Sequence, residues 1–267
     1  MITRRDVLLG GSSALMLPLM GRASPVNSML AAREAKYIDD SATWENPYVT
    51  DGLLAHWDGE WNAGGGIHDP NELVWRDVVG GVPLTLLKMS DGYVEVNDMC
   101  YSTTHAGFYT NLTYLPTLLK GDATFRFIIQ PKVYNRNGGE ISLGYNESWA
   151  TGWRGINLVQ YKDSRFQVYL FDSTIRGCGP IRTNFTQITI VVKNGTSFKF
   201  INGHDYSSEY SFTGTQHAST MVGFGVTRKV AEDVSNNYLA LCQVYSRILS
   251  DEELDYNLSV DTERFGL

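Results

Sequence analysis

The chain has 267 residues, a formal net charge of -7, 43% hydrophobic residues and 19% charged residues. This length suffices for one large β-sandwich with a sizeable core. The negative charge argues against nucleic-acid binding, because nucleic-acid binders present basic patches to the phosphate backbone. It does not argue against an uncharged sugar as a ligand.

The first residues form a pattern typical of an export leader. Arg4 and Arg5 precede an apolar run from Val7 to Met20, and small residues follow near Ala23. The run is too short to span a bilayer. A pair of arginines here is typical of a twin-arginine signal, which is an address read by a receptor and not an anchor. The alternative interpretation is a basic N-terminus that stays on the protein.

The chain divides into three segments on this basis. We predict a leader at 1–24, a linker at 25–47 that begins near Pro25, and one domain at 48–267. If the leader is removed, we expect no membrane insertion. The localisation that follows is secreted or extracellular.

Short β-strand patterns separated by Gly, Asn and Asp turns run through residues 48–267. Many short strands at close spacing indicate a sandwich or a barrel. Cys242 falls in such a strand and is predicted to be a small buried hydrophobic residue. The predicted strands are Gly52–Trp57, Leu84–Leu87, Tyr93–Val96, Ala106–Tyr109, Ala123–Pro131, Glu140–Tyr145, Gly155–Tyr161, Arg165–Phe171, Gln187–Lys193, Ser197–Ile201, Thr220–Val226 and Leu239–Tyr245.

A short helix is predicted after the last strand, from Asp251 to Tyr256. Ser250 is placed as its N-cap and Glu253 lies three residues on, which is the spacing of a capping box. Acidic residues fill the first turn, where the helix dipole stabilises negative charge. The chain therefore ends on a strand followed by a capped helix.

Four segments together resemble one family. They are residues 51–59 (DGLLAHWDG), residues 73–86 (LVWRDVVGGVPLTL), residues 188–203 with an Asn194-Gly195 hairpin, and the C-terminal strand and helix. In this order they resemble the LamG-like jelly rolls of the concanavalin A-like lectin/glucanase superfamily. The resemblance implies an all-β fold, namely a two-sheet antiparallel jelly-roll sandwich with one short C-terminal helix. Proteins of this superfamily mostly bind or cleave extracellular glycans.

Catalytic residues of the superfamily are not found in this sequence. Its retaining glucanases carry Glu-x-Asp-x-x-Glu on one strand, so that the acid and the nucleophile flank the sugar bond. Residues Glu140–Glu147 have acids at the wrong spacing, with Ser142 where the Asp would stand. We therefore predict a non-catalytic protein whose partner is a glycan or a cell-surface polysaccharide. A glycan-cleaving enzyme with an unrecognised site is an alternative.

A second alternative is a bacteriophage virion decoration or adhesin protein. A related-looking set of phage proteins joins a short Arg-rich start to a LamG-like domain. Virion proteins need no signal peptide, so retention of Met1 or Ile2 would favour this alternative.

An aromatic loop is the candidate ligand site. Sugar rings stack on flat aromatic faces, and a few polar groups fix their orientation. The loop that follows the strand ending near Tyr145 contains two Trp residues, and two nearby strands could extend its platform over the concave face. The opposing interpretation is that these side chains pack as ordinary core or strand residues, as we predict for Trp57 and Trp75. The predicted ligand-binding residues are Tyr145, Trp149, Trp153, Arg154, Tyr161 and Tyr169.

Calcium is a candidate cofactor, because many LamG-like domains hold Ca²⁺ at the rim of the sandwich. Calcium prefers several oxygen ligands, and the loop after the first predicted strand offers Asp58 and Asp69. The alternative is that this acidic loop is simply solvated and that Asp58-Gly59 shapes a turn.

Overall fold

The computed structural model describes residues 46–62, 66–67, 75–96, 100–132, 138–144, 155–161, 165–170, 173–180, 184–203, 206–211, 219–226 and 236–267. All of them belong to the unit Ala42–Leu267. The predicted leader and nearly all of the predicted linker lie outside these residues, so the predicted domain boundaries stay predictions.

Strands dominate the described residues, in agreement with the predicted all-β class. The strands are β1 (Leu53–Asp58), β2 (Trp61–Asn62), β3 (Gly66–Ile67), β4 (Trp75–Arg76), β5 (Pro83–Val96), β6 (Tyr101–Asn111), β7 (Ala123–Pro131), β8 (Gly138–Leu143), β9 (Ile156–Tyr161), β10 (Arg165–Leu170), β11 (Ser173–Pro180), β12 (Thr186–Lys193), β13 (Ser197–Asn202), β14 (Tyr206–Ser211), β15 (Met221–Phe224) and β16 (Asn237–Tyr245). The helices are α1 (Leu115–Leu118) and α2 (Asp251–Phe265).

Two antiparallel layers form the sandwich. The first layer has the order β1-β16-β7-β12-β13-β14, and the second has the order β5-β6-β15-β8-β9-β10-β11. Strand β16 joins them at one corner, because its first residues pair with β6 at Tyr238 and Leu239, and its later residues pair with β1 from Leu241 onward. The structure therefore confirms the two-sheet antiparallel sandwich.

The core lies between the two layers and is rich in aromatic side chains. Trp57 and Trp75 are fully buried, as predicted, and so is Cys242. The Trp75 ring lies 4.6 Å from the Tyr101 ring and 5.5 Å from the Phe224 ring, measured between centroids. Aromatic pairs at such distances add to the stabilisation that burial provides. Through Trp75, β4 therefore packs against both β6 and β15.

The predicted Asn194-Gly195 hairpin is confirmed. Asn194 has φ 52° and Gly195 has φ 59°, which are the positive values that a type I′ turn requires. The Thr196 N–H donates to the Lys193 carbonyl at 3.1 Å and closes the turn between β12 and β13. The dipeptide thus fixed this local structure in the way that the sequence indicated.

Helix α2 begins as predicted but continues beyond Tyr256 to Phe265. Its buried face contains Leu254, Leu258 and Phe265, but also Asn257 and Asp261. Those two polar residues conceal the helical periodicity in the sequence, because a buried face is normally read from apolar residues. The helix lies on the outer side of β7 and β16, where Phe265 packs in a cluster with Ile128 and Leu241. No helix among the described residues is long and apolar enough to cross a bilayer.

Several strands differ from their predicted bounds. Two predicted strands, Leu84–Leu87 and Tyr93–Val96, form the single strand β5, with an irregular register between Lys88 and Tyr93. Strands β11 and β14, at the two ends of the strand order, were not predicted. β11 contains two Gly and β14 contains three Ser, and neither shows an apolar alternation, so only their pairing with a neighbouring strand makes them extended.

The capping box of α2 is expected to make the free energy of unfolding depend on pH. The Ser250 hydroxyl accepts from the Glu253 N–H, and Arg247 donates to both Glu253 oxygens at 2.7 Å and 2.6 Å. Arg247 and the Ser250 N–H together lower the pKa of Glu253 to about 2. Because this pKa is lowered in the folded state, the stabilisation is complete above about pH 4.5 and is lost as the pH falls towards about 2.

We therefore expect Glu253→Gln to lower the free energy of unfolding by about 1 kcal/mol at neutral pH. The difference from the unchanged protein should shrink between about pH 4.5 and about pH 2, which urea unfolding at several pH values would measure. Asp255→Asn on the exposed side of the same helix is the matched control. An equal loss in both variants would contradict the role of the Glu253 charge, since glutamine can also complete a capping box.

Candidate functional site

The outer face of the second layer, opposite the core, carries a polar pair in the middle of the sheet. Ser142 of β8 and Asn157 of β9 are direct cross-strand partners. Their sequence neighbours, including Ile141 and Leu158, lie in the core. Because side chains alternate along a strand, Ser142 and Asn157 belong to the opposite face. We call these two residues the polar pair.

The polar pair belongs to a row of cross-strand partners that runs across the second layer. In this row Tyr109 of β6 is paired with Gly223 of β15, and Gly223 is paired with Ser142. Asn157 is in turn paired with Tyr169 of β10. The row therefore has a tyrosine position on each side of its central small and polar residues, and it continues to Thr85 of β5 and Thr174 of β11.

Both members of the polar pair are buried, yet their side chains lack hydrogen bonds. Ser142 Oγ and both amide atoms of Asn157, Oδ1 and Nδ2, have no hydrogen-bond partner within the part of the chain that the structure describes. A buried polar group without a partner costs about 1–3 kcal/mol, so such groups are rare. One explanation for these unpaired groups is a ligand that supplies the missing hydrogen bonds.

One side of the row is bounded by the segment Gly225–Val226, which approaches the outer face closely. A Cβ atom added to Gly223 would lie 2.4 Å from the Val226 carbonyl oxygen, and one added to Gly107 would lie 2.4 Å from the Gly225 carbonyl oxygen. Only glycine at these two positions permits the approach. Val226 packs there with Met221 and Tyr109. The polar pair thus has an apolar wall beside it.

The predicted aromatic loop starts next to the polar pair. Leu143 and Ile156 form the following cross-strand pair, and the chain then leaves β8 at Gly144 and re-enters β9 at Gly155. Gly155 has φ 91°, and a Cβ atom there would lie 2.1 Å from the Leu143 carbonyl oxygen. Glycine is therefore required at this end of the loop.

The predicted ligand residues fall partly within the described structure. Tyr169 occupies the row, opposite Asn157, whereas Tyr161 is paired with Arg165 at the far end of β9. The structure describes the backbone at these two positions. The remaining predicted ligand residues lie outside the described residues and stay predictions: Tyr145, Trp149, Trp153 and Arg154.

Ser142 and Asn157 were not predicted as ligand residues. The sequence did contain a signal, because each is one polar residue between two large apolar residues, Ile-Ser-Leu and Ile-Asn-Leu. Alternation shows that such a residue faces away from the core, but it does not show whether that face is exposed to solvent or buried. Only the register of β8 against β9 brings the two together.

A second polar group of residues lies beneath α2, and it includes Asp58. Arg264 donates to both Asp58 oxygens at 2.7 Å and 2.9 Å, and the Glu60 N–H donates to Asp58 at 2.9 Å. His56 Nε2 lies 3.3 Å from the same carboxylate. Burial raises the pKa of Asp58, but Arg264 and His56 outweigh burial and hold this pKa well below its usual range.

These contacts bear on the predicted calcium site without deciding it. The Asp58 carboxylate is buried and already bound by a guanidinium group. The described residues contain no group of three or more His, Cys, Asp or Glu side chains placed to hold a metal ion. Asp69, the other proposed ligand, lies outside them. Calcium binding therefore stays a prediction.

The remaining residues beneath α2 attach the helix to the sheet. Arg126 of β7 donates to Gln243 of β16 and to Asp261 of α2. Burial raises the pKa of Asp261, and Arg126 opposes this in part. The three side chains are fully buried under the helix. Their hydrogen bonds join α2 to β7 and β16, so we assign them to fold stability.

Solved structures with the same architecture support the fold. A Trypanosoma rangeli sialidase in complex with 2,3-difluorosialic acid matches with a TM-score of 0.59 and 12% identity, covering 89% of this chain and 39% of that chain. The binding domain of botulinum neurotoxin serotype D matches with a TM-score of 0.55 and 12% identity, covering 79% of this chain and 52% of that chain.

The receptor binding domain of the botulinum neurotoxin C/D mosaic serotype matches similarly, with a TM-score of 0.55 and 11% identity, over 78% of this chain and 51% of that chain. The chain thus spans less than two thirds of each of these proteins. Such low identities show the β-sandwich fold alone. No protein-family model and no curated protein sequence matches the chain.

Proposed function

We propose that this chain is a LamG-like jelly roll, exported from the cell, that binds a glycan on the outer face of its second layer. The single observation that carries the proposal is the buried polar pair without hydrogen-bond partners, in a row that has a tyrosine position on each side of it. Sugars bind to protein surfaces of this kind, with rings against aromatic faces and hydroxyl groups on amides.

The comparisons are compatible with this proposal. One neighbour is a sialidase in complex with a sialic acid derivative, and another is a receptor binding domain. The same architecture therefore occurs in proteins whose names refer to sugars or receptors. At such low identity, this supports the proposal only by analogy.

Binding without cleavage fits the outer face better than hydrolysis. Most glycosidases need two carboxyl groups on either side of the sugar bond. The described side chains in the row and directly beside it include no Asp or Glu: they are Tyr109, Asn111, Met221, Ser142, Asn157, Val159 and Gln167. We therefore propose binding without cleavage at this row, and the glycan-cleaving alternative stays a prediction.

A glycan array with the full chain, in the presence and absence of Ca²⁺, tests the proposal. We expect saturable binding to one class of sugar. Trp149→Ala is expected to weaken this binding at least tenfold, that is by about 1.4 kcal/mol, because an aromatic face for the sugar ring is lost. The melting temperature should not change if Trp149 contacts the ligand and not the core, because substitutions outside the core have little effect on stability.

Tyr256→Ala is the matched control, because Tyr256 is an aromatic residue on α2 that is 52% exposed and distant from the row in the fold. Equal binding by the unchanged chain, Trp149→Ala and Trp153→Ala would exclude the aromatic loop as part of the site. Absence of binding to every sugar would contradict the proposed function. Loss of binding on calcium removal would direct attention to Asp69 and its loop.

A further inference from the structure

Asn157 differs from the other buried amide side chains of the sandwich. The amides of Asn202 and Gln187 each have one atom without a partner, but their other atom donates a hydrogen bond, to Pro180 O and to Thr189 Oγ1. Among the buried Asn and Gln residues that the structure describes, Asn157 is the one whose two side-chain amide atoms both lack a hydrogen-bond partner. Its carbonyl oxygen therefore needs a donor and its NH₂ group needs an acceptor.

This combination restricts the chemistry of a ligand. Carboxylate, sulfate and phosphate groups only accept hydrogen bonds, so they would leave the Asn157 oxygen without a donor and place negative charge beside it. An ammonium group only donates. A hydroxyl group does both, and Ser142 Oγ, directly across from Asn157, can bond to a second hydroxyl group.

The surroundings of the polar pair agree with an uncharged ligand. The described side chains nearest to it on neighbouring strands are Tyr109, Val159, Gln167 and Met221, none of which carries a charge. A buried charge on a ligand would need a partner of opposite charge. These four described side chains offer none.

We propose that Ser142 and Asn157 bind two neighbouring hydroxyl groups of a sugar residue, and that the uncharged side chains around them favour neutral over acidic glycans. This inference rests on the proposed function and adds the ligand class and the residues that select it. Asn157 provides both a donor and an acceptor, and Ser142 fixes the second hydroxyl group. The wall formed by Met221 and Val226 contacts the apolar edge of the same sugar.

Retention of the full chain on immobilised polysaccharides tests the ligand class. The neutral probes are xyloglucan, mannan and galactan, and the acidic probes are polygalacturonate and heparin. We expect retention on a neutral probe, with equal affinity at low and high salt, because salt screens only charged contacts. Retention on acidic probes alone, weakened by salt, would overturn this inference and leave glycan binding intact. Retention on none would contradict the proposed function itself.

Asn157→Leu tests the residue, and its stability provides a readout that does not depend on binding. If the amide has no partner in the free protein, an apolar residue of similar size removes an unsatisfied polar group. We therefore expect an unchanged melting temperature or a rise of about 2–4 °C, together with at least tenfold weaker retention on the neutral probe. Ser142→Ala should likewise weaken retention without unfolding the protein.

Asn184→Ala is the matched control, since Asn184 is exposed and lies before β12. It should leave both retention and melting temperature unchanged. A fall of the melting temperature by more than about 4 °C in Asn157→Leu would show that Asn157 has a structural role, and this would overturn the inference. Undiminished retention by Asn157→Leu and Ser142→Ala would overturn it as well.

Discussion

Replacing Arg264 by methionine is expected to lower the free energy of unfolding by about 3–5 kcal/mol. Arg264 binds both oxygens of the buried Asp58, and it also donates to Glu60 Oε2 at 2.7 Å and to the Tyr48 hydroxyl at 2.8 Å. Methionine keeps much of the apolar volume but leaves the carboxylate of Asp58 buried without its guanidinium partner. The whole stability of a domain is about 5–15 kcal/mol, so the loss is a large share.

The expected loss of stability also depends on pH in a definite direction. In the unchanged protein the pKa of Asp58 is lowered, so its contribution is present above about pH 4 and is lost at lower pH. In Arg264→Met, burial raises the pKa of Asp58, so this variant gains stability as Asp58 becomes protonated. The difference between the two proteins should therefore narrow as the pH falls from about 7 to about 4, as urea unfolding would show.

Two controls separate the buried charge from other effects. Arg264→Met combined with Asp58→Asn should recover part of the loss, because the carboxylate left without its partner is removed. Arg247→Met is the matched control, since Arg247 also binds a carboxylate with two nitrogens but at a more exposed position. It should cost about 1 kcal/mol or less. A similar cost for Arg247→Met and Arg264→Met would contradict the argument.

Replacing Trp75 by alanine is expected to cost about 3–5 kcal/mol. The side chain is fully buried, its ring contacts Tyr101, Phe108 and Phe224, and its Nε1–H donates to the Asp58 carbonyl at 3.0 Å. Removing it leaves a large cavity between the layers and a buried acceptor without its donor. Thermal and urea unfolding would measure the loss.

Trp75→Phe retains an aromatic ring and should cost less than Trp75→Ala. Tyr93→Ala is the control for an aromatic residue outside the core, because Tyr93 on β5 is 49% exposed. It should change the free energy of unfolding by about 0.5 kcal/mol or less. If Trp75→Ala lowered the free energy of unfolding no more than Tyr93→Ala, the position of Trp75 in the core would be contradicted.

Local signals in the sequence account for much of the fold. Strand β7 has the bounds that were predicted, the Asn194-Gly195 turn has the predicted conformation, and Ser250 with Glu253 forms the predicted capping box. These features depend on residues close together in the chain, such as an apolar run or a dipeptide with positive φ. Strands β11 and β14 lack such local signals, because their extended conformation depends on pairing.

The outer face could be only partly predicted for the same reason. An aromatic loop and Tyr169 were predicted near a ligand, and the register places Tyr169 in the row with Asn157. Ser142 and Asn157 are 15 positions apart in the sequence, and neither belongs to a recognisable motif. Their lack of hydrogen-bond partners depends on everything packed around them. The sequence therefore shows that these two polar residues alternate with apolar ones, but it does not show that their side chains are buried.

The sequence by itself determined the all-β class, the buried Trp57 and Trp75, the hairpin turn and the start of the last helix, since these depend on composition and on short-range patterns. The tertiary structure alone decided that Asp58 pairs with Arg264, 206 positions later, and that Ser142 lies opposite Asn157. Such contacts arise from strand register and from how the helix packs on the sheet. Both depend on free-energy differences summed over the whole sandwich, which no short segment encodes.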